Sequence, residues 1–168
     1  MMTVQDLIHE LEQETDATRR ALARVPNDQM DWRPHPKSVT MGQLAMHVAT
    51  LPAALAQVSM MDDFPVGAPI PRPTASSTDE LLATLDRSVA EAKALLVGMG
   101  DAGLTVPWRM VLDGQEIGAM PRSAFLRSVL FNHWYHHRGQ LTVYLRMTGA
   151  AVPAIYGPSA DENPLMQR

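Results

Sequence analysis

The chain has 168 residues, 46% hydrophobic and 19% charged, a balance that builds a folded core and excludes a disordered polar chain. Its formal net charge is −4 and its basic residues are scattered, so no basic stripe offers a nucleic-acid footprint. It has no cysteine, which excludes a disulfide scaffold, a cysteine nucleophile and any thiolate metal ligand. The N-terminal MMTVQDLIHELEQE is amphipathic and acidic, without the basic and then apolar regions of a secretory leader. No uninterrupted apolar run approaches the roughly 18–20 residues that a membrane helix needs. A cytoplasmic protein of one domain, residues 1–168, is the expectation.

Four stretches carry helical periodicity. In the first, about Val4 to Val25, the apolar face is Val4, Leu7, Ile8, Leu11, Thr18, Leu22 and Val25, with Thr3 as the cap and Pro26-Asn27-Asp28 as the stop. Pro34 and Pro36 forbid a regular helix around them. A second helix is predicted from Thr40 to about Met61, with Leu44, Val48, Leu51 and Leu55 inward, His47 beside them and Pro52 as a potential kink. Residues Asp62 to Ser77 hold Pro65, Pro69, Pro71 and Pro73 and read as a long, partly extended connection. A third helix, about Thr78 to Val97, turns Leu81, Leu82, Leu85, Val89, Ala92 and Leu96 inward, capped by Ser77 or Thr78. Gly98 to Gly103 breaks it. Asp113-Gly114 then signals a tight hairpin within Val106–Ile117. The fourth helix should start near Pro121 and run to about Thr148, stopped by Gly149, with a proline-bearing tail from Ala150 wrapping the surface. Four long helices in this order predict an all-α four-helix bundle with the hairpin inserted before the last helix.

His133 and His137 stand four residues apart on the fourth helix. Four residues advance about 400°, so the two side chains differ by only about 40° in direction and about 6 Å in height. They share a stripe with Leu126, Leu130, Gln140 and Tyr144 that is expected to face the core. Two imidazoles at this spacing can grip one metal ion, although such a pair also arises by chance. No glutamate follows the first histidine, so the metalloprotease motif is absent. His47, between Leu44 and Leu51, adds a third inward imidazole. Three such groups are costly to bury unpartnered, and a metal satisfies all of them. His136 flanks the site, while His9 and His35 read as surface residues. The 12 methionines read as core filling, Trp108 and Trp134 as pocket or packing residues, and Asp161-Glu162 as a solvated tail able to donate a carboxylate.

Three segments carry a family resemblance. They are Trp32-Arg33-Pro34-His35-Pro36-Lys37-Ser38 leading into Met41-Gly42-Gln43-Leu44-Ala45-Met46-His47, then Asn132-His133-Trp134-Tyr135-His136-His137-Arg138-Gly139-Gln140-Leu141, and Val152-Pro153-Ala154-Ile155-Tyr156-Gly157-Pro158-Ser159-Ala160-Asp161-Glu162. On these the chain resembles the DinB family of DinB/YfiT-like helical metalloproteins. The resemblance implies an up-down-down-up four-helix bundle, a three-histidine metal site at His47, His133 and His137, and a homodimer. It also implies chemistry dependent on a small thiol.

Three neutral imidazoles would leave coordination positions open on a divalent metal, a Lewis-acid site for water or a thiol. Zinc or nickel suits the donors first, with iron or manganese next. The expected function is a metal-dependent enzyme, a transferase or hydrolase, with S-transferase-like chemistry on a small molecule and a small-thiol cosubstrate. The alternative is a non-catalytic metal-binding or stress-related protein. Tyr144 and Gln140 are the polar residues expected nearest the site, the latter holding a ligand histidine in place.

Overall fold

Thr3 opens the first helix, α1 (Val4–Leu22), through a reciprocal capping box with Asp6, and Thr40 opens the second, α2 (Met41–Met60), through the same device with Gln43. Thr3 is the cap the sequence predicts and the second helix opens where it predicts, at Thr40; in each a hydroxyl followed three residues later by a polar acceptor satisfies two of the orphan amides at a helix start. The computed structural model describes residues 2–67 and 71–166. Residues 68–70 of the proline-rich connection, Pro69 among them, and the last two residues of the expected tail lie outside the described residues.

Helix α2 is the centre of the core. Met41, Leu44, Ala45, Val48, Ala49, Leu51 and Ala56 are all buried, well beyond the single stripe expected for it. It packs against α3 (Thr78–Gly103) and against the last helix. Pro52 does not stop it. Proline lacks the amide that would bond the carbonyl four residues back and displaces the next turn. Neighbouring helices fill both gaps. Trp134 Nε1 donates to Val48 O at 2.9 Å. Ser88 Oγ of α3 accepts from Ala53 N at 2.9 Å and donates to Thr50 O at 3.2 Å. A proline that looks like a defect in the sequence is therefore the socket for three interhelical bonds made by two side chains.

Helix α3 runs past the expected break. Its ladder is interrupted at Gly100 (φ 61°), a left-handed conformation that glycine adopts without a Cβ clash, and one more turn follows to Gly103.

The expected hairpin forms from β2 (Pro107–Leu112) and β3 (Gln115–Pro121). Its turn is Asp113-Gly114 with φ of 50° and 80°, the mirror-image turn that matches strand twist. The purely helical description with a bare hairpin needs correcting, however. A third strand, β1 (Asp63–Pro65), adds parallel to β2 and makes a three-stranded mixed sheet in the order β1-β2-β3. A three-residue strand holding a proline carries no periodicity to read. It forms because the backbone leaving α2 is delivered beside β2, where Arg109 Nε bonds Asp63 at 2.6 Å.

The last helical run is not one α-helix either. It consists of α4 (Arg122–Phe125), a wider-wound segment Leu126–Phe131 bonded i to i+5, and α5 (Asn132–Met147). The reason lies in the apolar spacing. Phe125, Leu126, Leu130 and Phe131 are all buried and repeat every five residues. Five residues advance about 500° in an α-helix, about 140° off register, so an i+5 winding is what lets all four face inward. Among the described residues no helix is long and apolar enough to cross a membrane.

Candidate metal centre

His47 projects from the second turn of α2, and His133 and His137 from the first turns of α5. The bond from Trp134 to Val48 joins residues immediately following His133 and His47, so it sets the separation of the two helices at the level of the histidines. Trp134 is fully buried and Val48 likewise, which makes that separation rigid.

The three imidazoles converge. Their nearest nitrogens all lie within 4.8 Å of one another, with His133 Nε2 at 3.4 Å from His47 Nε2 and 3.1 Å from His137 Nε2. Three nitrogens each about 2.0–2.1 Å from one tetrahedral ion would stand about 3.3 Å apart, so the donor set fits a divalent metal. His137 Nδ1 donates to Gln140 Oε1 at 2.7 Å, which directs the lone pair of Nε2 inward. A proton on His133 Nε2 can serve one of its two neighbours, and the remaining nitrogen then faces it without a bond. An ion uses all three lone pairs at once.

Electrostatics favour the ligand-competent form. Burial, followed by the neighbouring His137 and His133 and then Arg72, pushes His47 down to about 4. Burial followed by His137 and His136 lowers His133. Burial also lowers His137, against the opposing effect of its bond to Gln140. No fourth histidine or carboxylate joins the three among the described residues. The site opens into a cavity of about 250 Å³ whose wall includes Gln43 and Thr50 of α2, Gln140 of α5, and the Pro71-Arg72-Pro73 stretch.

The family model described as the DinB family matches residues 1–166. This chain belongs to the DinB family. It is 27% identical over 160 residues to YrdA of Bacillus subtilis strain 168, described as an uncharacterized protein, an alignment covering 95% of this chain and 92% of that one. A crystal structure of a DinB-like protein from Bacillus cereus ATCC 10987 superposes with a TM-score of 0.72 at 25% identity, over 92% of this chain and 98% of that one. The DinB-like protein YjoA of Bacillus subtilis shares the fold, with a TM-score of 0.66 at 18% identity over 88% of this chain and 95% of that one.

Within this DinB-family chain several sequence expectations are sharpened. The stripe of α5 that holds His133 and His137 was expected to be its apolar side. The fully buried stripe is instead Trp134, Arg138, Leu141 and Leu145, displaced by one residue, and the histidines are partly exposed on the rim towards α2. That rim position is what gives them access to the cavity. Tyr144 does not line the cavity; its hydroxyl donates to Val39 O at 3.2 Å and its ring packs edge-on against Trp32, so it braces the wall from behind. Gln140 bonds a candidate ligand histidine, as expected. His136 lies beside the group, with its ring 5.1 Å from that of His137. His9 pairs with Gln13, and His35 Nδ1 accepts from Lys37 N in its loop. Trp108 donates to Val58 O and packs on Phe125, and Trp134 is buried between helices, so both are packing residues. Asp161 and Glu162 pair with Arg146 and Arg24, away from the histidines. Arg72 was not foreseen, and its one signal in the sequence is its position between two prolines that stiffen its backbone.

Proposed function

We propose that this protein holds one divalent metal ion through His47, His133 and His137, and that the ion acts on a small molecule entering the adjoining cavity. The observation that carries the reading is the convergence of three imidazole nitrogens, with spacings of 3.4 and 3.1 Å, at the wall of an open cavity. When bound, such an ion supplies Lewis-acid chemistry, lowering the pKa of a bound water or thiol. The chain's own residues prepare the site. Gln140 orients His137, the Trp134–Val48 bond holds the helices at ligand spacing, and burial keeps the imidazoles neutral. Three protein ligands rather than four make this an open, catalytic-type site rather than a closed structural one.

Family membership supports the finer parts of the same reading. These are thiol-dependent S-transferase-like chemistry with a small-thiol cosubstrate, zinc or nickel as the ion, and a cytoplasmic homodimer. The up-down-down-up bundle and a single domain across the chain belong with them. Elemental analysis of tag-free protein is the test. One equivalent of metal is expected in the wild type and in His35→Ala, and none in His137→Ala. Metal retained by His137→Ala would remove the reading. Chelation should abolish any thiol-conjugating activity while leaving the helical circular dichroism in place; complete unfolding on chelation would make the site structural.

A further inference from the structure

We infer that the molecule taken by this cavity is a small anion whose carboxylate or phosphate group is bound by Arg72. The inference rests on the metal reading above and adds the substrate class to it.

Arg72 forms part of the cavity wall together with His47, His133 and His137. Among the described residues no carboxylate lines that wall, whose other polar side chains include the neutral amides of Gln43 and Gln140. Nor does any described carboxylate pair with Arg72, whereas Arg109, Arg127 and Arg146 all have one. Pro73 disfavours helical geometry at Arg72 and Pro71 fixes its own φ, so the backbone that carries Arg72 is stiffened and extended.

The charges decide the class of ligand. Neutral imidazoles cancel none of a divalent ion's charge, and Arg72 adds one more positive charge to the same small space. A cation is repelled there, and a neutral molecule leaves the guanidinium fork unused. A molecule with a carboxylate or phosphate at one end uses the planar fork of Arg72, and a donor atom at its other end can reach the ion. The volume of about 250 Å³ lies below the usual range of drug-sized pockets and suits a small molecule.

Cobalt-loaded protein gives a readout independent of turnover, because thiolate binding to cobalt adds charge-transfer absorption. The probes are 3-mercaptopropionate, which carries a carboxylate, and 2-mercaptoethanol, which does not. Arg72→Gln should weaken 3-mercaptopropionate about two- to fivefold more than it weakens 2-mercaptoethanol, the scale of a partly exposed charge pair. Inorganic phosphate should compete with 3-mercaptopropionate in the wild type and lose that effect in Arg72→Gln; if phosphate never competes, the anionic group is a carboxylate. Arg72→Lys should regain part of the lost affinity. Equal weakening of both thiols, no weakening, or no absorption change with either thiol on cobalt-loaded protein would overturn the inference. Failure to take up cobalt at all is a different result, which removes the metal reading beneath it.

Discussion

Arg138 and His137 are neighbours on α5, and the two sides of the helix treat polar groups in opposite ways. Towards α1, Arg138 is 2% exposed and both of its terminal nitrogens are bonded. Its guanidinium donates to Glu14 O and Thr18 Oγ1, both at 3.1 Å, to Glu14 Oε2 at 2.6 Å and to the Tyr156 hydroxyl. Beside it, the Tyr135 hydroxyl donates to Glu10, which also pairs with Arg127, and burial followed by the bond to Glu10 pushes the Tyr135 phenol well above its ordinary range. Towards α2, three imidazoles face one another with no carboxylate in the group. A buried charge destabilises the fold strongly unless it is paired, so the first face is closed with its own counter-charges. The second keeps its groups neutral and their lone pairs free. Completed networks hold the helix in place, and the incomplete one is where a ligand can enter.

Breaking the closed face should have the larger effect. Arg138→Ala leaves the part-buried Glu14 carboxylate with only the Tyr156 hydroxyl as partner and empties a buried site, and should cost about 3 kcal/mol in urea unfolding. The folded fraction should still bind one metal equivalent. Wild-type stability in this variant would end the comparison.

Trp134→Phe tests the link between the two faces. It keeps an aromatic ring but removes the pyrrole part of the indole with its donor to Val48 O, leaving a buried carbonyl orphaned next to Pro52, at a cost of about 1–3 kcal/mol beyond that of the lost volume. Metal affinity should fall as well, since the bond sets the helix spacing at the histidines. Stability lost without any change in affinity would confine Trp134 to packing.

Gln140→Ala sharpens the open face. Loss of the bond that orients His137 should weaken metal binding about tenfold, read by competition with a chelator, while metal-free stability stays within about 0.5 kcal/mol.

The last effect is on the pH dependence without metal. Because the folded protein holds His47 down to about 4, below its ordinary 6.5, the unfolded chain binds the proton more readily. The stability associated with the neutral imidazole is complete above about pH 6.5 and falls as the pH drops towards 4. His47→Gln should flatten that part of the stability profile, and an unchanged profile would show that His47 titrates normally.

Much of this arrangement was legible beforehand. Thr3 and Thr40 are followed by Asp6 and Gln43, and capping is a local contest between a side chain and the next turn's amides, which needs no tertiary information. The Asp113-Gly114 turn is equally local. His133 and His137 share a direction on any helix, so the pair could be read from spacing alone, and His47 from its place between Leu44 and Leu51 on the second helix. Not legible were β1, which exists through pairing with β2, and the wide winding of Leu126–Phe131, which depends on what those apolar side chains must reach.

The sequence by itself determined where the helices begin, which hydroxyls cap them, and that three histidines fall at helical positions. These follow from covalent order and the period of one helix. Tertiary structure decided that Pro52 would be answered by Trp134 and Ser88, that the histidines would sit on a rim rather than in the core, and that Arg72 would stand over them. Each of those joins residues tens of positions apart. The partner of an orphaned carbonyl, or the side of a cavity an arginine reaches, depends on how the helices dock, which no local periodicity encodes.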